Sequence, residues 1–297
     1  MSAPHLQISR QILLADPHGF CTGVKHAIAT AEEAVAKTGG HLYCLHELVH
    51  NRLVVDRLAE RGMIFVKSLA EVPDGATVLF SAHGVSPAVR REAQEKSLNV
   101  IDATCIFVKK VHEAVKKYAS EGCSVLLIGS KNHDEVLGVA GEAPEAVTVL
   151  ETIPDAETVQ VPDPDKVAVL TQTTLADYQV RPITDVLKRR FPKIQIPDKS
   201  NICFATTVRQ EAVRKIAREA EIVLVLGSRN SANSNRLVDV ARSEGTRAEL
   251  ITDIPSLKGF VESGGLDGLT KIGLTAGAST PEYIVDEAIN LLHFPQI

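Results

Sequence analysis

Apolar positions along the chain follow two alternating patterns. Short apolar runs that end in polar residues, such as "SVLLIG" and "IVLVLG", are typical of buried strands. In segments such as "FATTVRQEAVRKIA", apolar residues recur at helical spacing while Lys, Arg and Glu fill the other face. Strands that alternate with helices in this way predict parallel sheets covered by helices, which is an α/β fold.

The pattern repeats three times along the chain. The copies open with "GFCTGVKHAIATAEEAV", "ATCIFVKKVHEAVKKYA" and "NICFATTVRQEAVRKIA", each with a cysteine just before the helical run. At nearly the same distance after each cysteine, the next strand-like run ends in His50, His133 or Asn233. This register predicts three small α/β lobes, residues 1–103, 104–200 and 201–297.

The repeated polar residues are expected to share one end of each sheet. In parallel α/β units, functional groups collect beyond the carboxyl ends of the strands, where helix N-termini also lie. Cys21, Cys105 and Cys203 fall at that end, each in its own lobe. In a pseudo-threefold arrangement of the lobes, the three thiolates converge on one central cavity.

Composition narrows the class of ligand. The 297 residues are 44% apolar, enough for a large core, and 32 basic against 37 acidic residues give a net charge of −5. This balance offers no electrostatic attraction to nucleic acid or to an anionic membrane surface. No secretory signal pattern opens the sequence, and no apolar run approaches the ~18 residues of a membrane span. We therefore expect a cytoplasmic protein with a small-molecule ligand.

The five cysteines favour metal or redox chemistry over a disulfide framework, because their number is odd and their spacing wide. Cys21, Cys105 and Cys203 are predicted at helix N-termini, which lower the pKa of a thiol. Cys44 and Cys123 lie in strand-like runs without counterparts and are predicted to be packing residues. A structural zinc site requires four ligands, whereas three thiolates on a 4Fe-4S cluster leave one iron open.

The stretch from His46 to His50, "HELVH", matches the zinc-protease pattern H-E-x-x-H. That pattern requires a helix, so that both histidines share one face. In the repeat, however, this stretch stands where a strand leaves into a turn, and the helix begins afterwards at "NRLVVDRL". The zinc-protease hypothesis is therefore disfavoured, and we expect His46 to be a packing or supporting residue.

Several polar side chains are predicted in equivalent strand-end turns. Imidazole, hydroxyl and amide groups in one pocket suit an anion such as a phosphate. The residues are His50, His83, His133, Thr173, Ser231, Asn233 and Ser279. Glu135, two residues after His133, is either a solvated acid at a helix start or a proton donor, and the residues alone leave both open.

Eight ordered motifs resemble one known family over nearly the whole chain. They are "GFCTGV", "HNRLVVDRL", "FSAHGVS", "DATC", "TQTTL", "ICFATTVRQEAV", "GSRNSANSNRL" and "TAGAS". In this order they closely resemble the 4-hydroxy-3-methylbut-2-enyl diphosphate reductase family, also called IspH or LytB. That family catalyses the last step of the methylerythritol phosphate route to isoprenoids.

The resemblance implies a fold, a reaction and a set of residue roles. It implies three α/β lobes around a 4Fe-4S cluster with three cysteine ligands and one open iron. The ligands are Cys21, Cys105 and Cys203. The resemblance assigns the substrate diphosphate to His50, His83, His133, Ser231, Asn233 and Ser279. Thr173 is implied to orient the substrate hydroxyl and the proton network, with Glu135 as proton donor. The implied electron donor is flavodoxin or ferredoxin with its reductase.

The sequence departs from the family pattern at three places. Ile106 replaces a proline that is common after the second cysteine, and Ala232 replaces a common serine, which removes one possible hydroxyl contact to diphosphate. "NHDEV" replaces the more usual "GHPEV".

The alternative function is a non-catalytic iron-sulfur or zinc protein that senses redox state or a phosphorylated ligand. Such a sensor has no need of Glu135 or Thr173.

Overall fold

The computed structural model describes residues 10–197 and 201–293. In chain order the strands are β1 (Gln11–Leu14), β2 (Leu42–Leu45), β3 (Met63–Val66), β4 (Thr77–Phe80), β5 (Asn99–Asp102), β6 (Ser124–Ile128), β7 (Val147–Leu150), β8 (Val167–Thr171), β9 (Ile222–Leu226), β10 (Arg247–Ile251) and β11 (Lys271–Ala276). The helices are α1 (Thr22–Lys37), α2 (Arg52–Glu60), α3 (Pro87–Glu95), α4 (Ile106–Ser120), α5 (Asp134–Ala140), α6 (Ile153–Thr158), α7 (Asp177–Arg190), α8 (Phe204–Ala217), α9 (Ala232–Ser243), α10 (Ile254–Glu262) and α11 (Glu282–His293).

The strands form three sheets, with orders β3-β2-β4-β5, β7-β6-β8 and β1-β11-β9-β10. Every strand pair in the described residues is parallel. Strands β8 and β9 are buried along their whole length and consist almost entirely of Val, Leu, Ile and Ala, as expected where helices cover both faces of a sheet. The α/β class with three parallel sheets, predicted from the sequence, is confirmed.

Local sequence signals explain several helix starts. Asn51 caps α2 by accepting a hydrogen bond from the N–H of Leu53 at 3.1 Å, and Ser86 caps α3 with Pro87 in the first turn. The similar pair Thr280-Pro281 behaves differently. The Thr280 hydroxyl donates to the carbonyl of Leu226 at 3.0 Å, so it anchors the helix start to the end of β9.

Strand β1 corrects the predicted organisation of the lobes. The sequence assigned residues 1–103 to the first lobe, but β1 pairs with β11 and so lies in the third sheet. It is the third-sheet counterpart of β5, the edge strand that pairs with β4 just before the second cysteine. The predicted boundary after residue 200 lies outside the described residues.

The chain divides into two units, residues 22–206 and residues 1–21 with 207–297. The first contains two sheets with separate apolar cores, one built around Val66, Val78 and Phe80 and the other around Leu126, Val169 and Leu187. The second contains one sheet, packed by residues such as Val213, Val225 and Leu237. Among the described residues, no helix combines the length and apolar character that a membrane crossing requires.

Candidate active site

Each of the three repeated cysteines lies at the start of a helix. Cys105 is the N-terminal cap of α4, and Cys21 and Cys203 directly precede α1 and α8. All three are partly exposed, and the five cysteines, which all lie within the described residues, form no disulfide. The predicted location at helix N-termini is therefore confirmed.

One backbone hydrogen bond recurs at all three cysteines. The cysteine N–H donates to the carbonyl of the second residue after a closing strand (β4, β8 or β11), at 2.9 to 3.0 Å: Cys105 to Ala82, Cys203 to Thr173 and Cys21 to Ala278. The same turns carry His83, Thr173 and Ser279, which the sequence singled out. The fold thus ties each thiol-bearing helix start to one turn of predicted site residues, within one unit in each case.

The other two cysteines are core residues, as predicted. Cys44 on β2 is fully buried and Cys123 nearly so. Burial raises the pKa of the Cys44 thiol, which keeps it protonated. The Cys123 sulfur accepts a hydrogen bond from Gln195 at 3.5 Å. Neither residue has the setting of a metal-binding thiolate.

Three of the predicted histidines form one cluster in the unit of residues 22–206. The rings of His50 and His83 stack with centroids 4.1 Å apart, and His133 meets them edge-on at 5.2 and 5.7 Å. His50 precedes the cap of α2, His83 follows β4, and His133 caps α5. Three separate strand-end turns therefore contribute one imidazole each.

Two imidazoles of the cluster, those of His83 and His133, are neutral at neutral pH. Burial and, to a smaller extent, the neighbouring His50 lower the pKa of His133 to about 4, against a raising effect of Asp134. Burial, followed by the nearby His50 and His133, lowers the pKa of His83 well below its usual value. The Nδ1 of His133 accepts a hydrogen bond from the N–H of Glu135 at 3.1 Å, so the neutral ring carries its proton on Nε2. That N–H is a donor of the kind that an anionic ligand requires.

The "HELVH" stretch forms no helix, and the zinc-protease hypothesis is wrong. It follows β2 as a series of bends, and α2 begins only after Asn51. His46 has a left-handed backbone, φ 61°, and its Nδ1 lies 2.7 Å from Oδ1 of Asp134. Of the two roles expected for His46, packing is wrong, because the side chain is exposed and contacts Asp134, and support of the neighbouring residues stays a prediction.

Glu135 and Thr173, both in the unit of residues 22–206, are joined by two hydrogen bonds. Oε1 of Glu135 accepts the N–H of Thr173 at 2.7 Å, and Oε2 accepts its hydroxyl at 2.9 Å. Glu135 is 2% exposed. Burial raises its pKa to about 7, although both hydrogen bonds from Thr173 act to lower it. The sequence left open whether Glu135 is a solvated acid at a helix start. Its burial excludes that role, and its raised pKa makes its proton exchangeable near neutral pH.

The remaining predicted residues lie in the other unit, around the start of α9. Ser231 caps this helix, and its Oγ accepts the N–H of Ser234 at 3.2 Å. Ser231, Asn233 and Ser279 are all buried. A Cβ at Gly277 would lie 2.1 Å from the Ser234 Oγ, so only glycine allows this close approach.

Asn233 carries an unusual feature for a buried residue. Neither its Nδ2 nor its Oδ1 has a hydrogen-bond partner within the part of the chain that the structure describes. A buried amide without partners costs stability, and native proteins keep such groups where a ligand or water completes them. Asn233 is therefore suited to receive a polar ligand.

The sequence missed two side chains that position these groups. Gln172 is buried, accepts the N–H of Ser130 at 3.0 Å and donates to the hydroxyl of Thr174 at 2.9 Å. Arg209 is buried and donates to the carbonyl of Gly19 at 2.8 Å, which fixes the turn before Cys21. Gln172 stood inside the motif "TQTTL", but nothing in its spacing distinguished it from its neighbours.

The fold and these side chains define a class: a three-sheet α/β protein whose strand ends carry thiols, imidazoles and a buried acid. The model of the family described as "LytB protein" matches residues 12–293. The chain belongs to this family, as the sequence motifs predicted.

Curated relatives and solved structures agree with this assignment. The chain is 48% identical over 276 residues to 4-hydroxy-3-methylbut-2-enyl diphosphate reductase 2 of Mycobacterium tuberculosis, covering 93% of this chain and 82% of that protein. It is 46% identical over 281 residues to the reductase of Neisseria meningitidis serogroup B, covering 94% and 86%. The structure of the E-1-hydroxy-2-methyl-but-2-enyl-4-diphosphate reductase from Plasmodium falciparum matches with a TM-score of 0.92 at 38% identity, covering 97% of this chain and 89% of that one.

Proposed function

We propose that this chain is a 4-hydroxy-3-methylbut-2-enyl diphosphate reductase. The reaction takes up two electrons and two protons, releases the allylic hydroxyl as water, and yields isopentenyl and dimethylallyl diphosphates in the last step of the methylerythritol phosphate pathway. Relatives of this name cover more than nine tenths of the chain. The observation that carries the proposal within the molecule is the buried Glu135–Thr173 pair, because this reaction needs a proton at the leaving oxygen.

The proposed cofactor is one 4Fe-4S cluster held by Cys21, Cys105 and Cys203, with one iron open. The donors fit this group: each thiol stands at a helix start, is partly exposed, and belongs to no disulfide. Their recurrent backbone hydrogen bonds hold each helix start in place. When bound, the cluster supplies the electrons and a Lewis-acid iron for the substrate hydroxyl.

Two groups of residues are proposed as ligands of the substrate diphosphate. The imidazoles of His50, His83 and His133 provide N–H donors from three turns. The second group is Ser231, Asn233 and Ser279, supported by the buried amide of Asn233, which has no hydrogen-bond partner among the described residues. Diphosphate binding would fix the allylic end of the substrate relative to the acid.

Glu135 is proposed as the proton donor and Thr173 as the residue that orients the substrate hydroxyl. A carboxyl with a pKa of about 7 is protonated in a large fraction of molecules at neutral pH, yet gives up its proton readily. Once Glu135 is protonated, its O–H can donate to the Thr173 oxygen, which frees the threonine hydroxyl to donate onward. The threonine thus relays a proton while its backbone N–H still holds Oε1.

Flavodoxin or ferredoxin with its reductase is the proposed electron donor, and the cytoplasm is the proposed location.

The alternative function, a redox or phosphate-ligand sensor, explains the thiols and imidazoles. It offers no reason to bury a carboxyl group, which carries a desolvation cost.

The test is an assay of anaerobically purified protein. We expect about four irons and four sulfides per chain, and turnover of the allylic diphosphate with a chemically reduced mediator. Cys21→Ser, Cys105→Ser and Cys203→Ser should each lower the iron content, while Cys44→Ala should retain it. Protein with a full cluster but no turnover would contradict the enzyme and favour the sensor.

A further inference from the structure

Asp134 places a carboxylate at the edge of the histidine cluster, where an anion is proposed to bind. One of its oxygens, one ring nitrogen of His50 and one of His83 all lie within 4.8 Å of one another. An anion bound by these imidazoles is therefore a close neighbour of Asp134. Unless the carboxylate is neutralised, it repels that anion.

His46 is built to neutralise Asp134. Its left-handed backbone is uncommon for a residue other than glycine, and it brings Nδ1 to 2.7 Å from the carboxylate. The hydrogen bond to Asp134 raises the pKa of His46. Burial alone would raise the pKa of Asp134, but the hydrogen bond and charge of His46 hold it below its usual value.

Three other imidazoles face the pair. Burial lowers the pKa of His83 and of His133, as described above, which disfavours a positive charge on either ring. His50 also acts on Asp134, but its Nδ1 lies 3.3 Å from Oε2 of Glu47. No Lys or Arg is within ion-pair distance of Asp134 among the described residues. His46 is in direct hydrogen-bond contact with Asp134, and this contact raises its pKa, which favours the charged form.

We propose that His46 is the counter-charge of Asp134 and a positioning residue for anion binding at the histidine cluster. With both partners ionised, the pair carries no net charge, and the cluster can accept a multiply charged anion. The pair also connects the turn that carries His50 to the turn that carries His133, because each partner is close in sequence to one of them. The proposal rests on the proposed function only in naming diphosphate as the anion.

The experiment measures the affinity of inorganic diphosphate by calorimetry at pH 7, with anaerobically purified holoprotein. His46→Asn removes the positive charge, while asparagine tolerates the left-handed backbone and can still donate to Asp134. Asp134→Asn removes the negative charge. The control is Lys37→Ala, which leaves Glu33 without its exposed partner on α1.

We expect His46→Asn to weaken diphosphate binding about tenfold, the effect of one unscreened charge near a multivalent anion. Asp134→Asn should bind at least as well as wild type, and the double variant should return to within about threefold of wild type. Lys37→Ala should not change the affinity.

Recovery of diphosphate affinity in the double variant distinguishes two roles of His46. It is expected if His46 neutralises the charge of Asp134, and it is not expected if His46 only supports the turns. If the double variant binds as weakly as His46→Asn, or if His46→Asn binds normally, the proposal is overturned. A wild-type protein that does not bind diphosphate overturns it as well. Normal diphosphate binding without turnover of the allylic substrate contradicts the proposed function instead, and the same affinities still decide the role of His46.

Discussion

Thr173 holds both carboxylate oxygens of Glu135, one through its backbone N–H at 2.7 Å and the other through its hydroxyl at 2.9 Å. The carbonyl of the same threonine accepts the N–H of Cys203. One turn after β8 therefore connects a buried acid to a helix start that carries a thiol. A displacement of this turn would affect both, so the acid is held as rigidly as the backbone around it.

Glu135→Gln should abolish most turnover while the fold and iron content persist. Glutamine has nearly the same shape, and its amide can bond Thr173, but it cannot release a proton. We expect kcat to fall by about 10²- to 10⁴-fold, the usual contribution of a positioned acid. Single-turnover assays with reduced protein measure this, with the exposed Glu113→Gln as control. Rates near wild type would show that the proton comes from another group.

The pH profile of turnover should report the ionisation of Glu135. Burial raises its pKa to about 7, so the protonated donor is present below that pH and lost above it. We expect kcat to decline above about pH 7.

Thr173→Val should move that decline to higher pH. The hydroxyl of Thr173 stabilises the carboxylate and so lowers the pKa of Glu135. Without this hydroxyl, burial raises the pKa of Glu135 further. Thr173→Ser, which keeps the hydroxyl, should retain the wild-type midpoint. A midpoint that is the same in the valine variant would exclude Glu135 as the titrating group.

The sequence predicted the features that repeat. Cys21, Cys105 and Cys203 could be located at helix starts because three copies of one pattern constrain each other. The histidine cluster followed from the same register, since equivalent strand ends carry His50, His83 and His133. The repeat also disfavoured the zinc-protease match, because it predicted a turn where a helix was required.

Features that depend on distant pairing could not be predicted in this way. Strand β1 has four residues, and its partner β11 lies at the opposite end of the chain, so no local pattern indicates the pairing. The His46–Asp134 contact spans 88 positions and depends on a left-handed backbone that the sequence does not signal. The pKa of Glu135 depends on the burial of its side chain. The polar motif around Glu135 gives no sequence signal of that burial.

His133 should stay neutral when diphosphate binds. Its Nδ1 already accepts the N–H of Glu135, and burial lowers its pKa to about 4, so a second proton on the ring would break the cap of α5. We expect His133→Asn, which can still cap α5 but cannot titrate, to leave the proton uptake on binding at pH 7 unchanged. Calorimetry in two buffers of different ionisation enthalpy measures the uptake. A smaller uptake in this variant would show that His133 is charged in the complex.

Asn233 should stabilise the bound ligand at the expense of the ligand-free fold. Its buried amide has no partner in the described part of the chain, so Asn233→Ala removes two unpaired polar atoms. We expect the free energy of unfolding without ligand to stay the same or rise, by up to about 1 kcal/mol, while the affinity for the diphosphate substrate falls at least about tenfold.

The neighbouring Asn235 provides the matched control for that prediction. Its amide donates to the carbonyls of Arg229 and Ser231 at 2.7 and 2.9 Å, so its hydrogen bonds are already made within the fold. Asn235→Ala should therefore lower the free energy of unfolding by about 1 kcal/mol. Thermal unfolding and calorimetric titration compare the two variants directly. If Asn233→Ala is as destabilising as Asn235→Ala and binds substrate normally, the amide of Asn233 has a structural partner and is not a ligand of the diphosphate.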